Sequence, residues 1–125
     1  MRKIELSTLS VDELVQRFAE ITREQDKAIL AGQAAKFNRL FDRMMEVYDE
    51  LKGRPGDQRR ALVRLFDFPN MQVRLQAAKL TKEVAPFEAR AQLQAIVASK
   101  WFPQAGDAGM SLSIMDGDIR VNLER

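Results

Sequence analysis

From Arg59 to Pro86 the chain reads RRALVRLFDFPNMQVRLQAAKLTKEVAP. Two apolar-periodic segments flank a break at Asp67-Phe68-Pro69-Asn70. Leu62, Leu65 and Phe66 share one helical face before it. Val73, Ala77, Leu80 and Val84 recur at spacings of three and four after it. Pro69 has no backbone donor and disfavours a helical Phe68, and Asn70 suits the N-cap of the next helix. The stretch therefore predicts a helix from Asp57 to about Phe66, a tight corner, and a second helix ending at Pro86. The pair Ala77-Ala78 would let a neighbouring helix approach closely.

Working outward, the same helical material continues in both directions. Ser10-Val11-Asp12-Glu13 is a capping box, with Leu9 and Leu14 placed as its hydrophobic staple. It opens a helix that should stop at Gly32, which accepts a left-handed backbone. A second helix runs from about Ala34 to Lys52, on the strongest apolar stripe of the chain: Phe37, Leu40, Phe41, Met44, Tyr48 and Leu51. Gly53-Arg54-Pro55-Gly56 ends it. Pro86 fits the first turn of a helix reaching Ser99, with Leu93, Ile96 and Val97 inward. Trp101-Phe102-Pro103 makes another corner. A last helix covers Ala105 to Met115, with Met110, Leu112 and Ile114 as packing residues. Phe68-Pro69 and Phe102-Pro103 lie 34 residues apart, near the length of one helical-hairpin repeat. The expected architecture is all-α, with five to six antiparallel helices in a short α-α superhelix. It occupies residues 1–125 as a single helical-repeat domain, with 1–9 as lead-in and 119–125 as tail.

Composition narrows the chemistry. The 125 residues include neither cysteine nor histidine. That removes disulfides, thiolate nucleophiles, and the commonest general base and metal ligand. Any catalysis would rest on carboxylates, hydroxyls, Lys, Arg or the single Tyr48. The expectation is a non-enzyme with no cofactor and no metal. No apolar run approaches a membrane span and no secretory leader is visible, so a cytoplasmic location is expected. Net charge is +2, but residues 51–100 hold 10 basic and 4 acidic groups. The basic middle could face an anion.

The corner at Arg59–Pro86 resembles a HEAT/armadillo-type repeat, through Leu62-Val63-Leu65-Phe66, Asp67 and Pro69, Val73-Arg74 and Ala77-Ala78. The whole layout resembles a small bacterial family of helical domains of unknown function. The phrases that carry this are Leu9–Leu14, Lys36–Phe41, Pro55–Leu62 and Trp101–Met110. The resemblance implies a fold and no activity. By analogy, helical-repeat proteins serve as binding scaffolds, and some bacterial ones are suspected toxin immunity proteins.

Several clusters have a structural and a functional reading. In HEAT-type repeats Asp67 and Arg74 would brace the corner; alternatively Arg74 binds an anion. Arg54, Arg59, Arg60 and Arg64 are the candidate anion-facing residues, although no aromatic is interleaved to stack bases. Asp42, Glu46, Asp49 and Glu50 could ligate a hard cation or share a proton, but with Arg39 and Arg43 among them they read as ion-pair lacing. Asp116-Gly117-Asp118 reads as a helix stop, and Gly106–Gly109 as a corner without phosphate-loop spacing. Trp101 and Phe102 read as a plug for the core end, or as an interface anchor. The methionines read as gap-fillers.

The leading expectation is a protein–protein interaction module, an immunity-type inhibitor or adaptor, with an unidentified protein partner. Gln72, Gln76, Lys79 and Lys82 are its candidate contacts, on the assumption that they line an exposed concave face. A second copy could cap the exposed end of such a stack. Nucleic-acid binding through the basic middle is the alternative. A small enzyme or carrier using the acidic stripe of the second helix is a third.

Overall fold

A computed structural model describes residues 5–117, and all regular structure among them is helical. A three-residue 3₁₀ turn, Leu6–Thr8, leads into α1 (Val11–Leu30) and α2 (Ala34–Gly53). A 3₁₀ helix (Gln58–Asp67) is followed by α3 (Met71–Lys79), α4 (Pro86–Ser99) and α5 (Gln104–Met115). The tail at 119–125 and residues 1–4 of the lead-in lie outside the described residues, as does Asp118.

The local signals act as expected. The Ser10 hydroxyl accepts from the Glu13 amide (3.1 Å), and Glu13 accepts from the Ser10 amide (2.8 Å). Gly32 ends α1 at φ 68°, a value that costs a residue with a Cβ. Asn70 Oδ1 accepts from the amides of Gln72 (2.9 Å) and Val73 (3.2 Å), and its Nδ2 donates to Asp26 of α1 (3.2 Å). Asn70→Ala should therefore cost about 1 kcal/mol of stability, read as a lower urea midpoint with an unchanged slope.

Two expected helices differ. The segment before the corner is 3₁₀, not α. Its buried residues are Arg59, Leu62 and Leu65, spaced by three, which three residues per turn bring into one straight stripe. The helix after the corner stops at Lys79 rather than running to Pro86. Thr81 is buried, and its hydroxyl donates back to the Ala77 carbonyl (2.8 Å). That bond satisfies the Ala77 carbonyl, while the Thr81 amide tightens onto the Ala78 carbonyl (3.3 Å) as the helix passes into a turn. Val84 is consequently only half-buried.

The core has two parts that meet in α3. On one side, Val73 and Ala77 pack with Phe18, Met44, Leu51 and Leu62. On the other, Leu75 and Ala78 pack with Leu93, Ile96 and Ala108. Six of the nine α3 residues are buried, so this helix is enclosed nearly all round. Each fully buried leucine contributes about 2 kcal/mol, and the apolar residues of α3 bind the two halves together. Beyond α5 no further hairpin follows among the described residues. Val97, Met110 and Ile114, expected inward, are exposed there. Leu112 does pack inward.

Candidate interaction surface

The four residues expected to line an exposed binding face do not stand together on the surface. Gln72 and Gln76 are buried. Gln72 Nε2 donates to Gln25 Oε1 (2.9 Å) and Gln72 Oε1 accepts from Gln104 Nε2 (2.9 Å). Gln76 lies 3.4 Å from the same Gln25 oxygen, and Gln25 Nε2 points at Met44 Sδ (3.5 Å). These amides form a polar seam joining α1, α3 and α5. The reason is position: α3 is enclosed on both sides, so its polar residues must find partners inside. Lys79 is half-buried and pairs with Asp107 (3.0 Å). Lys82 donates to Ser111 (3.3 Å). Burial, with Lys79 nearby, holds the Lys82 ammonium below the usual lysine range. Both lysines reach α5.

The four arginines likewise do not form one patch. Arg59 is buried. Its guanidinium donates to Asp57 through Nε (2.8 Å) and Nη2 (2.6 Å), and through Nη1 to Glu83 (2.6 Å) and the Tyr48 hydroxyl (2.9 Å). It also sits 5.6 Å from the centre of the Tyr48 ring, within cation–π range. These bonds raise the Arg59 pKa, most of all those to Asp57 and Glu83. Arg54 donates to Glu50 (2.7 Å) and to the carbonyls of Leu6 (3.1 Å) and Leu9 (2.7 Å), tying down the lead-in. Arg60 pairs with Glu88 and Arg64 with Asp12, both in the open. Such exposed pairs contribute about 0–1 kcal/mol.

The remaining candidates resolve individually. Arg74 donates to the Phe68 carbonyl and so braces the corner, while Asp67 is exposed without an ion pair among the described residues. Glu50 pairs with Arg54. No ion pair links Arg39 or Arg43 to Asp42 or Glu46 among the described residues, so of the expected lacing of α2 only the Glu50 pair at its C-terminal end is seen. No group of acidic side chains there is arranged to hold a metal. Asp116 pairs with Arg90 (2.6 Å), and Gly117 turns the chain at φ 79°.

What the structure does present is a bare apolar face on the α4–α5 hairpin. Phe87 is 86% exposed, Phe102 68%, Trp101 62% and Met110 53%. The core-plug reading of Trp101 and Phe102 is thus corrected. Along α4, Phe87, Ala91, Gln94 and Ala98 follow one another at i, i+4, i+7 and i+11, and the stripe is open to solvent along its length. The only charges of α4, Glu88 and Arg90, are held by Arg60 and Asp116. The Phe102 ring lies 3.8 Å from where a Cβ on Gly106 would stand, and Val97 3.9 Å from the same point on Gly109. Phe102 and Val97 thus stand directly against the backbone of α5. A signal for the bare face was present in the sequence: α4 has apolar residues on every side of its axis, whereas α1 and α2 are two-faced. A helix apolar all round is normally covered.

An apolar groove of about 310 Å³ lies at the α1–α2 turn, between Ile29, Gly32 and Phe37. No described helix is long and apolar enough to cross a membrane.

Together these features define an all-helical protein with an uncovered aromatic end face. The chain belongs to the family described as domain of unknown function DUF2019, whose profile matches residues 12–116. That agrees with the family resemblance carried by Leu9–Leu14, Lys36–Phe41, Pro55–Leu62 and Trp101–Met110. It is similar to the protein RPA1889 from Rhodopseudomonas palustris CGA009, at 59% identity and a TM-score of 0.90. The similarity covers 95% of this chain and 98% of that one. No curated protein matches the chain.

Proposed function

We propose that this domain is a protein-recognition module, and that the outer face of α4–α5 is its working surface. The observation that carries this reading is the exposure of three aromatics, Phe87, Trp101 and Phe102, on the α4–α5 hairpin. Exposed aromatics of this kind anchor interfaces, because they bury a large area at a small entropic cost. Burial of Gln72, Gln76 and Arg59 moves the reading away from the concave-face contacts expected at first.

The scaffold reading is a short HEAT-like stack: α1 with α2, the 3₁₀ helix with α3, and α4 with α5. Its support is that α3 packs against elements of both flanking pairs. The last hairpin of such a stack needs either a polar outer face or a cover, and here the face is apolar. An adaptor or immunity-type inhibitor would use such a surface by covering part of its target. Nucleic-acid recognition gains no support from the arginines, since each of the four candidates already holds a carboxylate or carbonyl partner.

The test is a photo-reactive phenylalanine placed at Phe87, at Trp101 and, as a control, at exposed Glu20 of α1. Irradiation in cell lysate should give protein adducts from the first two positions and none from the third. Folded probe proteins that yield no adduct at Phe87 or Trp101 would sink the reading.

A further inference from the structure

We infer that the occupant of this face is a second copy of the same chain, docked about a two-fold axis that passes by Gln94 with the two α4 helices antiparallel. The inference rests on the recognition reading above and specifies its partner. Shape is the first argument. The α4 stripe has a bulky end at Phe87, small residues at Ala91, Ala95 and Ala98, and a second bulky end at Trp101. Laid antiparallel about Gln94, that profile brings Phe87 of each copy to Trp101 of the other, just past the left-handed Lys100 that ends α4, so the ends meet as aromatic pairs. The alanines in the middle let the two backbones come close. A two-fold interface must be self-complementary in this sense.

Polarity is the second argument. Gln94 is the one polar side chain in the middle of the stripe, and it is exposed. On the axis it meets its own copy, and two primary amides satisfy each other reciprocally, each donating and accepting. No charge is opposed by a like charge, because Glu88 and Arg90 are taken up within the chain. The antiparallel arrangement lays the N-terminal end of each α4 beside the C-terminal end of the other. It opposes the two helix dipoles as well.

Area is the third argument. At their observed exposures Phe87, Trp101 and Phe102 offer roughly 400–500 Å² between them. A stable interface removes about 800 Å² from each partner. Val97, Met110 and the three alanines are exposed on the same hairpin and can supply the difference.

Sedimentation and light scattering of the purified chain should give twice the 14.3 kDa of one copy. Phe87→Glu combined with Trp101→Glu should return it to one copy that still unfolds cooperatively, at a thermal midpoint that no longer rises with protein concentration. The chain has no cysteine, so a disulfide scan reads cleanly. Gln94→Cys should cross-link to a covalent dimer on mild oxidation, and Gln16→Cys on the exposed side of α1 should not. A monomer at about 100 micromolar, well above the Kd of a standard-size interface, overturns the inference. So does a dimer that survives both glutamates or fails to cross-link through Gln94→Cys. These outcomes separate from the recognition reading. Lysate adducts at Phe87 whose mass is that of another protein would keep recognition and remove the second copy.

Discussion

Gln72→Leu should destabilise the domain by about 3 kcal/mol, lowering its melting temperature by roughly 10 °C for a chain of this size. The amide is buried and links two others. Leucine is close in volume, so packing changes little. What changes is hydrogen bonding. Gln25 Oε1 loses its 2.9 Å donor and keeps only the 3.4 Å approach of Gln76. Gln104 Nε2 loses its 2.9 Å acceptor and keeps only Asp26 at 3.5 Å. Gln104 Oε1 already has no partner among the described residues, so that residue would be short on both atoms. Each buried polar group left unmade costs about 1–3 kcal/mol. Leucine at Gln25, Gln72 and Gln104 together removes these orphans with their partners, leaves only the Gln76 amide without its 3.4 Å acceptor, and should recover part of the loss. Urea unfolding of the single and triple variants checks both statements. A single variant as stable as the native chain would show that water takes over the seam.

The contrast between Gln72 and Asn70 shows how far local sequence reaches. Asn70 acts within its own turn, so a cap signal directly after a proline is enough to place it. Gln72 sits two residues further along with an equally polar side chain, and periodicity places it outside the Val73–Ala77 stripe. Its burial is decided by α5, whose Gln104 is 32 residues away. Short-range spacing carries no information about that contact. The 3₁₀ helix is an intermediate case. Arg59, Leu62 and Leu65 do repeat by three, but an arginine in the inward position argues against that register until Asp57, Glu83 and Tyr48 are seen around it. The exposed face of α4–α5 was half legible. Its excess of apolar residues is in the sequence. Whether they meet core or open surface depends on where the stack ends, which is a property of the fold.

Arg59→Leu should cost about 2–3 kcal/mol at neutral pH, below the cost of breaking a fully enclosed pair because Glu83 stays largely hydrated. The native guanidinium makes a two-pronged contact with Asp57 and reaches Glu83 and Tyr48 with its remaining donors. It therefore ties the turn before the 3₁₀ helix, the turn after α3, and α2 to one point. Acid should reveal the ionic share of this cost. Hydrogen bonds from Arg59 hold the Asp57 and Glu83 carboxyls below their ordinary values of 3.8 and 4.5. A carboxylate depressed in the folded state binds fewer protons there than in the unfolded chain. Stability from it is complete above the ordinary value and is lost as pH falls through the depressed one. In Arg59→Leu that depression is gone, so its stability should fall less between about pH 6 and pH 3 than that of the native chain. The gap between the two urea midpoints should accordingly narrow on acidification. Arg59→Lys supplies charge without the planar fork or the stacking on Tyr48, and should recover only part of the loss at neutral pH. A gap of equal size at both ends of that acid range would mean that Arg59 acts through packing alone.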